Sequence, residues 1–318
     1  MQLENKVKAT ILAALVAVSC GAGEGGPPAR SGADQAAAGA APRRGTAAIA
    51  FEAKKAGSKP FPFGFVEGKV GDQPTRFILD TGASVHTIDP SVATAAKLPS
   101  PIKASSTSIE GFGNLPDNAA ISVVELPAAI RAHGIGGILA PQLLVDRGQA
   151  VVVDLANRQL RSRPKSTAWS EMDDFGVVLT PPAQRQLCAV DSGGIAGAGR
   201  LLATDASVEG EATRLAIDTG SSRSLLLEGS KGGARATAHP VLGRSVVMGA
   251  SGETVTAIYG GVPLSVGAWS GTVDLGLAAG TRHPQCGYEG RLGIDVLQQC
   301  AIAMTAEEFL VACRAPSK

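Results

Sequence analysis

Aromatic residues make up only 4% of these 318 residues, and the charges nearly cancel, with 29 Lys and Arg against 28 Asp and Glu and a net charge of +1. That balance supplies no basic face for nucleic acid and no electrostatic footing on a membrane surface. Metal-ligand spacing is missing too. The chain has no C-x-x-C and no H-x-x-x-H, and His86, His133, His239 and His283 are scattered. Each is expected to be structural or solvated, and no metal or cofactor is expected. Helical periodicity is rare, with 91–97 and 292–298 the two short candidates. Glycine, by contrast, is abundant, 40 residues set between short Val, Ile, Leu and Thr runs. That pattern predicts an all-β chain.

One five-residue signature occurs twice. Asp80-Thr81-Gly82-Ala83-Ser84 follows the apolar run Phe77-Ile78-Leu79, and Asp218-Thr219-Gly220-Ser221-Ser222 follows Leu215-Ala216-Ile217. A single copy is a weak motif, as readily a turn with Asp at its start as a functional site. Two copies are harder to dismiss, and the similarity extends around them. Residues 65–84 lie over 203–222 without a gap, matching Val70 to Val208, Thr75 to Thr213 and Arg76 to Arg214. Farther on, residues 137–144 resemble 290–297, and each segment is followed by a hairpin-like pair of apolar runs. Similarity over that span implies duplication of a whole domain. Two carboxylates brought face to face by two related lobes cannot both ionise cheaply, so they hold one proton between them. One can then take a proton from water while the other donates to a carbonyl oxygen.

These residues resemble the pepsin-like and retropepsin-like aspartic proteases over roughly residues 47–315. The resemblance implies two β-barrel-like lobes around a cleft, with Asp80 and Asp218 as the catalytic pair. Thr81 and Thr219 would lock the two loops together, and Gly82 and Gly220 would let backbone N–H groups approach the carboxylates. Ser221 is expected to donate to the outer oxygen of Asp218, which Ala83 cannot do for Asp80. Each lobe of the family has an apolar-Gly pair under its Asp loop. Here that pair is Leu292-Gly293 in the second lobe and Leu139-Ala140 in the first, where the extra methyl is expected to crowd the backbone. Gly111-Phe112-Gly113 stands as the candidate substrate flap, with a surface hairpin as its alternative and no tyrosine hydroxyl. The turn 249–252 in the second lobe is read as an ordinary turn. The function expected is aspartic endopeptidase acting on a peptide or protein as a monomer. The alternatives are a peptide-binding lipoprotein that keeps the fold without turnover, and a structural lipoprotein.

The N-terminus reads as an export signal. Lys6 and Lys8 precede an apolar run of ten at 9–18, too short to span a bilayer. Ala17-Val18-Ser19-Cys20 resembles a lipoprotein cleavage site, which would make Cys20 the acylated first residue; an ordinary secretory signal is the alternative. With Gly21 next, the expectation is a membrane-anchored bacterial lipoprotein, in the outer membrane where the cell has one. The expected divisions are a signal peptide at 1–19, a Gly/Ala/Pro-rich disordered tether at 20–46, a first lobe at 47–163, a linker at 164–174 and a second lobe at 175–318. Cys188, Cys286, Cys300 and Cys313 all fall in the expected second lobe, and an even count in an exported chain favours two disulfides. Three pairings are possible. A hairpin around 305–308 would set Cys300 opposite Cys313, leaving Cys188 for Cys286.

Overall fold

The structure is a computed structural model, and it describes residues 45–52, 61–98, 103–116, 119, 121–192, 195–249 and 252–314. The expected signal, Cys20 and nearly all of the tether lie outside the described residues. The remainder is mostly strand, arranged as the all-β, two-lobed aspartic protease fold.

The duplication is visible strand by strand. Phe65–Val70 and Gln73–Leu79 form a hairpin with Phe65 opposite Ile78; Ala203–Val208 and Glu211–Ile217 form its twin with Ala203 opposite Ala216. Gln73–Leu79 and Glu211–Ile217 alternate exposed and buried positions in the same order, ending in three buried residues. Those last residues become inner because a parallel strand flanks each: Ile135–Leu139 in the first lobe, Gly290–Leu292 in the second. Strands buried on both sides read as continuous apolar runs rather than as alternation. The first seven-stranded sheet is completed by Thr107–Ile109, Gly113–Asn114, His86–Ile88 and Ile121–Val123. The second is completed by Leu225–Leu227, Trp269–Ala278, Gly252–Val266 and Val241–Gly249, and it closes on itself where Ala203–Val208 also pairs with Gly252–Val266.

A six-stranded antiparallel sheet joins the lobes. Its order is Thr46–Ala48, Gln159–Pro164, Gln149–Asp154, Cys300–Met304, Phe309–Cys313 and Val177–Val178, so its central pair brings one strand from each half. Its side chains divide by size. Val151, Val153, Ile302, Met304, Phe309 and Val311 join the main core. Ala150, Val152, Ala301, Ala303, Leu310 and Ala312 face Ala168 and Met172.

Those last two residues belong to a helix, Lys165–Phe175, which occupies the expected linker at 164–174. Ala168 and Met172 are fully buried, and Trp169 and Phe175 pack partly buried beside them. The two short helices expected at 91–97 and 292–298 form as Pro90–Ala95 and Ile294–Leu297.

Both expected disulfides are present, Cys188–Cys286 and Cys300–Cys313. Cys300 and Cys313 face each other within the shared sheet, whose strand Cys300–Met304 is bonded directly to Gln149–Asp154. Among the described residues no helix is long and apolar enough to cross a membrane.

Candidate active site

Each signature begins where its inner strand ends. The Asp80 N–H donates to the Leu139 carbonyl at 2.9 Å, and the Asp218 N–H donates to the Leu292 carbonyl at 3.0 Å. The chain then turns back on its own carboxylate. The Gly82 N–H donates to Asp80 Oδ1 at 2.7 Å and the Gly220 N–H to Asp218 Oδ1 at 3.0 Å. Each glycine also faces the opposite carboxyl group. A Cβ on Gly82 would stand 2.6 Å from the Asp218 Oδ1 atom, and one on Gly220 would crowd Asp80 still more closely. Any side chain there would separate the two acids.

The threonines cross-link the loops symmetrically. The Thr81 N–H donates to Thr219 Oγ1 at 3.0 Å and the Thr219 N–H to Thr81 Oγ1 at 3.1 Å. Each hydroxyl then donates at 2.6 Å to a carbonyl of the other lobe, Thr81 to Ile217 and Thr219 to Leu79. Each threonine hydroxyl thus accepts one hydrogen bond from the other lobe and donates one back to it. All four are buried, where hydrogen bonds hold geometry most firmly.

Asp80 and Asp218 are 2% and 7% exposed and face each other across Gly82 and Gly220. Burial, followed by the negative charge of Asp218, pushes the Asp80 pKa up to about 8. At neutral pH the pair therefore holds a proton between its two carboxyl groups. The carboxyl groups open into a cavity of about 350 Å³ that is also lined by Ile138, Val124 and Arg291.

Two expected contacts are not made. The Ser221 hydroxyl donates to the Arg223 carbonyl at 2.8 Å, not to Asp218. The partner of the Asp218 Oδ2 atom is the Arg291 Nη1 donor, 3.1 Å away. The candidate flap is also elsewhere. Phe112 is 1% exposed and part of the main core, Gly111 packs against Thr46, and the Gly45 N–H donates to the Phe112 carbonyl. None of Gly111, Phe112 and Gly113 lines the dyad cavity. A phenylalanine without a polar tip gains most by full burial, and this one is tucked under the first strand.

The Ala140 methyl is fully buried. A Cβ on its twin, Gly293, would strike the Arg223 carbonyl and stand 2.8 Å from the Ser224 nitrogen. In the second lobe the Gly293 N–H donates to Ser224 Oγ at 3.0 Å; in the first the Ala140 N–H donates to His86 Nδ1 at 3.1 Å. The histidine acceptor sits one bond farther from Cβ than a serine oxygen, a longer reach between the two strands. His86 is fully buried, and burial lowers its pKa to about 4.

A second cavity of about 360 Å³ adjoins the first on the second-lobe side. Its walls include Leu225, Leu227, Thr281, His283, Tyr288 and Arg291. His283 and Tyr288 stack with ring centroids 4.6 Å apart, and Cys188–Cys286 ties their loop to the strand Cys188–Ser192. Among the described residues no group of three or more His, Cys, Asp or Glu side chains could hold a metal ion.

Arg291 is the site residue that motif reading passed over. The signal was available: aligning Gly137-Ile138-Leu139-Ala140 with Gly290-Arg291-Leu292-Gly293 puts a cation opposite an isoleucine beside the signature.

Fold and site together define an all-β, two-lobed aspartic protease architecture with one acid from each lobe. A family model described as aspartyl protease matches residues 66–133, which hold the first signature, and supports an aspartic protease family for the chain. No curated protein matches the chain.

Proposed function

We propose that this chain is an aspartic endopeptidase in which Asp80 and Asp218 activate a water. The observation carrying the proposal is the pair of buried, facing carboxyl groups, one from each signature, that line one open cavity. Arg291 is ion-paired to Asp218, and burial, followed by the Asp218 charge, favours the neutral form of Asp80. Asp218 then acts as base and Asp80 as acid. Asp218 takes one proton from water as its oxygen bonds to the peptide carbonyl carbon. Asp80 gives its proton to the carbonyl oxygen, forming a gem-diol. Collapse breaks the C–N bond as the nitrogen takes the proton from Asp218 and one gem-diol hydroxyl returns a proton to Asp80, and a carboxylic acid and an amine leave. The substrate would lie extended in the cleft between lobes 47–163 and 175–318, as an added strand.

The test is digestion of a complex peptide mixture across pH, with cut sites read by mass spectrometry. Cleavage should fall as pH rises through about 8, where Asp80 loses its proton. A metal chelator should change nothing. No cleavage at any pH would leave the binding lipoprotein, for which the Arg291–Asp218 ion pair is the specific support. Anchoring through Cys20, export and a monomeric working state complete the proposal. Cys20→Ser should release the protein from the membrane fraction or block its processing; unchanged membrane association would reject the anchor.

A further inference from the structure

The two strands flanking the dyad strands are related by register. Ile138 pairs with Ile78, one residue before Leu79↔Leu139; Arg291 pairs with Ala216, one residue before Ile217↔Leu292. The same backbone position thus presents an apolar side chain from one lobe and a guanidinium from the other. Ile138 lines the dyad cavity alone, whereas Arg291 lines both that cavity and the neighbouring one. Among the described residues, its one side-chain hydrogen bond is from Nη1 to Asp218 Oδ2. Its side chain is 41% exposed. A guanidinium offers five N–H donors in a fixed fork, so most of this fork is available for a second anion. Neither Asp nor Glu lines the neighbouring cavity, where Thr281, His283 and Tyr288 supply the other polar side chains.

We propose that Arg291 is a specificity-determining residue that takes a substrate carboxylate in the cavity beside the dyad while keeping its bond to Asp218. The preferred substrates are then peptides with a carboxylate next to the scissile bond on the second-lobe side. Two sources share that chemistry, an Asp or Glu side chain and a free C-terminal α-carboxylate. An amide in the same place cannot form the charge-assisted pair and leaves the guanidinium's remaining donors facing a neutral group. The inference rests on the dyad acting as a hydrolytic centre, and its test separates the two.

The experiment compares matched peptides carrying Glu or Gln near the cut, each as the free C-terminal acid or the C-terminal amide. For the wild-type chain we expect kcat/KM to favour one carboxylate form by about 10- to 100-fold. The Glu arm or the terminal-acid arm identifies the source. Arg291→Ile, which copies the twin lobe, should bring that ratio to about 1, Arg291→Lys should keep part of it, and Arg291→Glu should turn preference toward Lys-bearing peptides. A merely structural role would not invert selectivity. Cleavage without carboxylate preference, or a preference unmoved in Arg291→Ile, overturns the inference and leaves the endopeptidase standing. If nothing is cut, calorimetric binding of the same peptides to Asp80→Asn decides: carboxylate preference there keeps the inference and removes the endopeptidase, and its absence overturns both.

Discussion

At matched positions the first lobe carries His86, Ile138, Ala140 and Gln142 where the second carries Ser224, Arg291, Gly293 and Asp295. The backbone hydrogen bonds around them are nevertheless the same: each Asp N–H donates to the same carbonyl of its flanking strand, and each following N–H donates to a side chain from beyond the signature. What differs is how each lobe satisfies buried polar groups. The second uses a short, charged set, with Asp295 accepting from both the nitrogen and the hydroxyl of Ser224. The first uses longer neutral groups, with the Gln142 amide donating to the Ala83 carbonyl and, across the molecule, to the Arg200 carbonyl. Duplicated backbones therefore do not imply equivalent carboxylates. Asp80 sits over neutral support, and Asp218 sits beside a cation.

The largest expected effect tests whether the two acids act as one unit despite that asymmetry. Asp80→Asn or Asp218→Asn should each lower cleavage by roughly a thousandfold or more, with the fold retained, and the double variant should be no worse than either single. Steady-state kinetics with circular dichroism as the folding control checks this. Full activity in either single variant would sink the mechanism.

The disulfides sharpen the comparison next. Cys188–Cys286 spans 98 positions within the second lobe, whereas Cys300–Cys313 spans 13 and lies in the shared sheet. Chain-entropy arithmetic gives about 5 kcal/mol for the first and about 3 kcal/mol for the second. Replacing each pair by serine or alanine and measuring denaturant unfolding should return that order. Cys188 is partly exposed and Cys300 and Cys313 are fully buried, so mild reductant should open Cys188–Cys286 first, visible as a two-thiol mass before a four-thiol one. Simultaneous opening of both would show that the shared sheet is no better protected than the lobe.

How much of this was legible beforehand follows from the physics of each feature. The signatures, the twin hairpins and the Cys300–Cys313 pairing rest on local sequence, and the chain carries them openly. The helix Lys165–Phe175 is hard to read because its apolar side, Ala168, Trp169, Met172 and Phe175, is short and interrupted by charged and polar residues, and Pro164 stands just before it. The flap was misplaced because a Gly-Phe-Gly tip reads equally as a mobile lid or as a core anchor, and only its neighbours decide. Gly111 lies against Thr46, more than sixty positions away in sequence, which no short motif reports. Arg291 is hidden for the opposite reason: it lies inside an aligned segment whose motif is carried by the apolar-Gly pair beside it.

His86 gives the lobes different acid sensitivity. Its pKa is about 4 in the fold against 6.5 when unfolded. The unfolded chain therefore binds the extra proton between those values, and the fold loses stability as pH falls from about 6.5 to about 4, by about 3 kcal/mol, with no further loss from this group below that. Asp80 works the other way, because its raised pKa makes the fold lose stability as pH rises from 3.8 toward about 8. The two slopes oppose each other, so the measurement must be a difference. His86→Asn keeps an acceptor for the Ala140 N–H without a group that titrates. Wild type minus His86→Asn should show the acid-side loss in denaturant midpoints between pH 6.5 and 4; a flat difference would show that His86 is hydrated enough to protonate in place.

The smallest expected effects come from exchanging the residues that differ by one methyl. Gly293→Ala drives a Cβ into the Arg223 carbonyl and to 2.8 Å from the Ser224 nitrogen, and backbone on a buried strand end has little room to yield. The Gly293 N–H bond to Ser224 must lengthen as the strands part, and with it the Leu292 carbonyl that holds Asp218. We expect a loss of about 2 kcal/mol together with a measurable fall in kcat. Ala140→Gly removes a fully buried methyl but leaves the His86 bond in place, so we expect about 1 kcal/mol and little change in kcat. The informative variant is Gly293→Ala combined with Ser224→His, which supplies the longer acceptor of the first lobe. If the reach of His86 is what makes room for Ala140, the pair should recover part of the loss that Gly293→Ala suffers alone. Additive losses in the double variant would mean that the spacing is set by the strands themselves, and that the two lobes differ in backbone as well as in side chains.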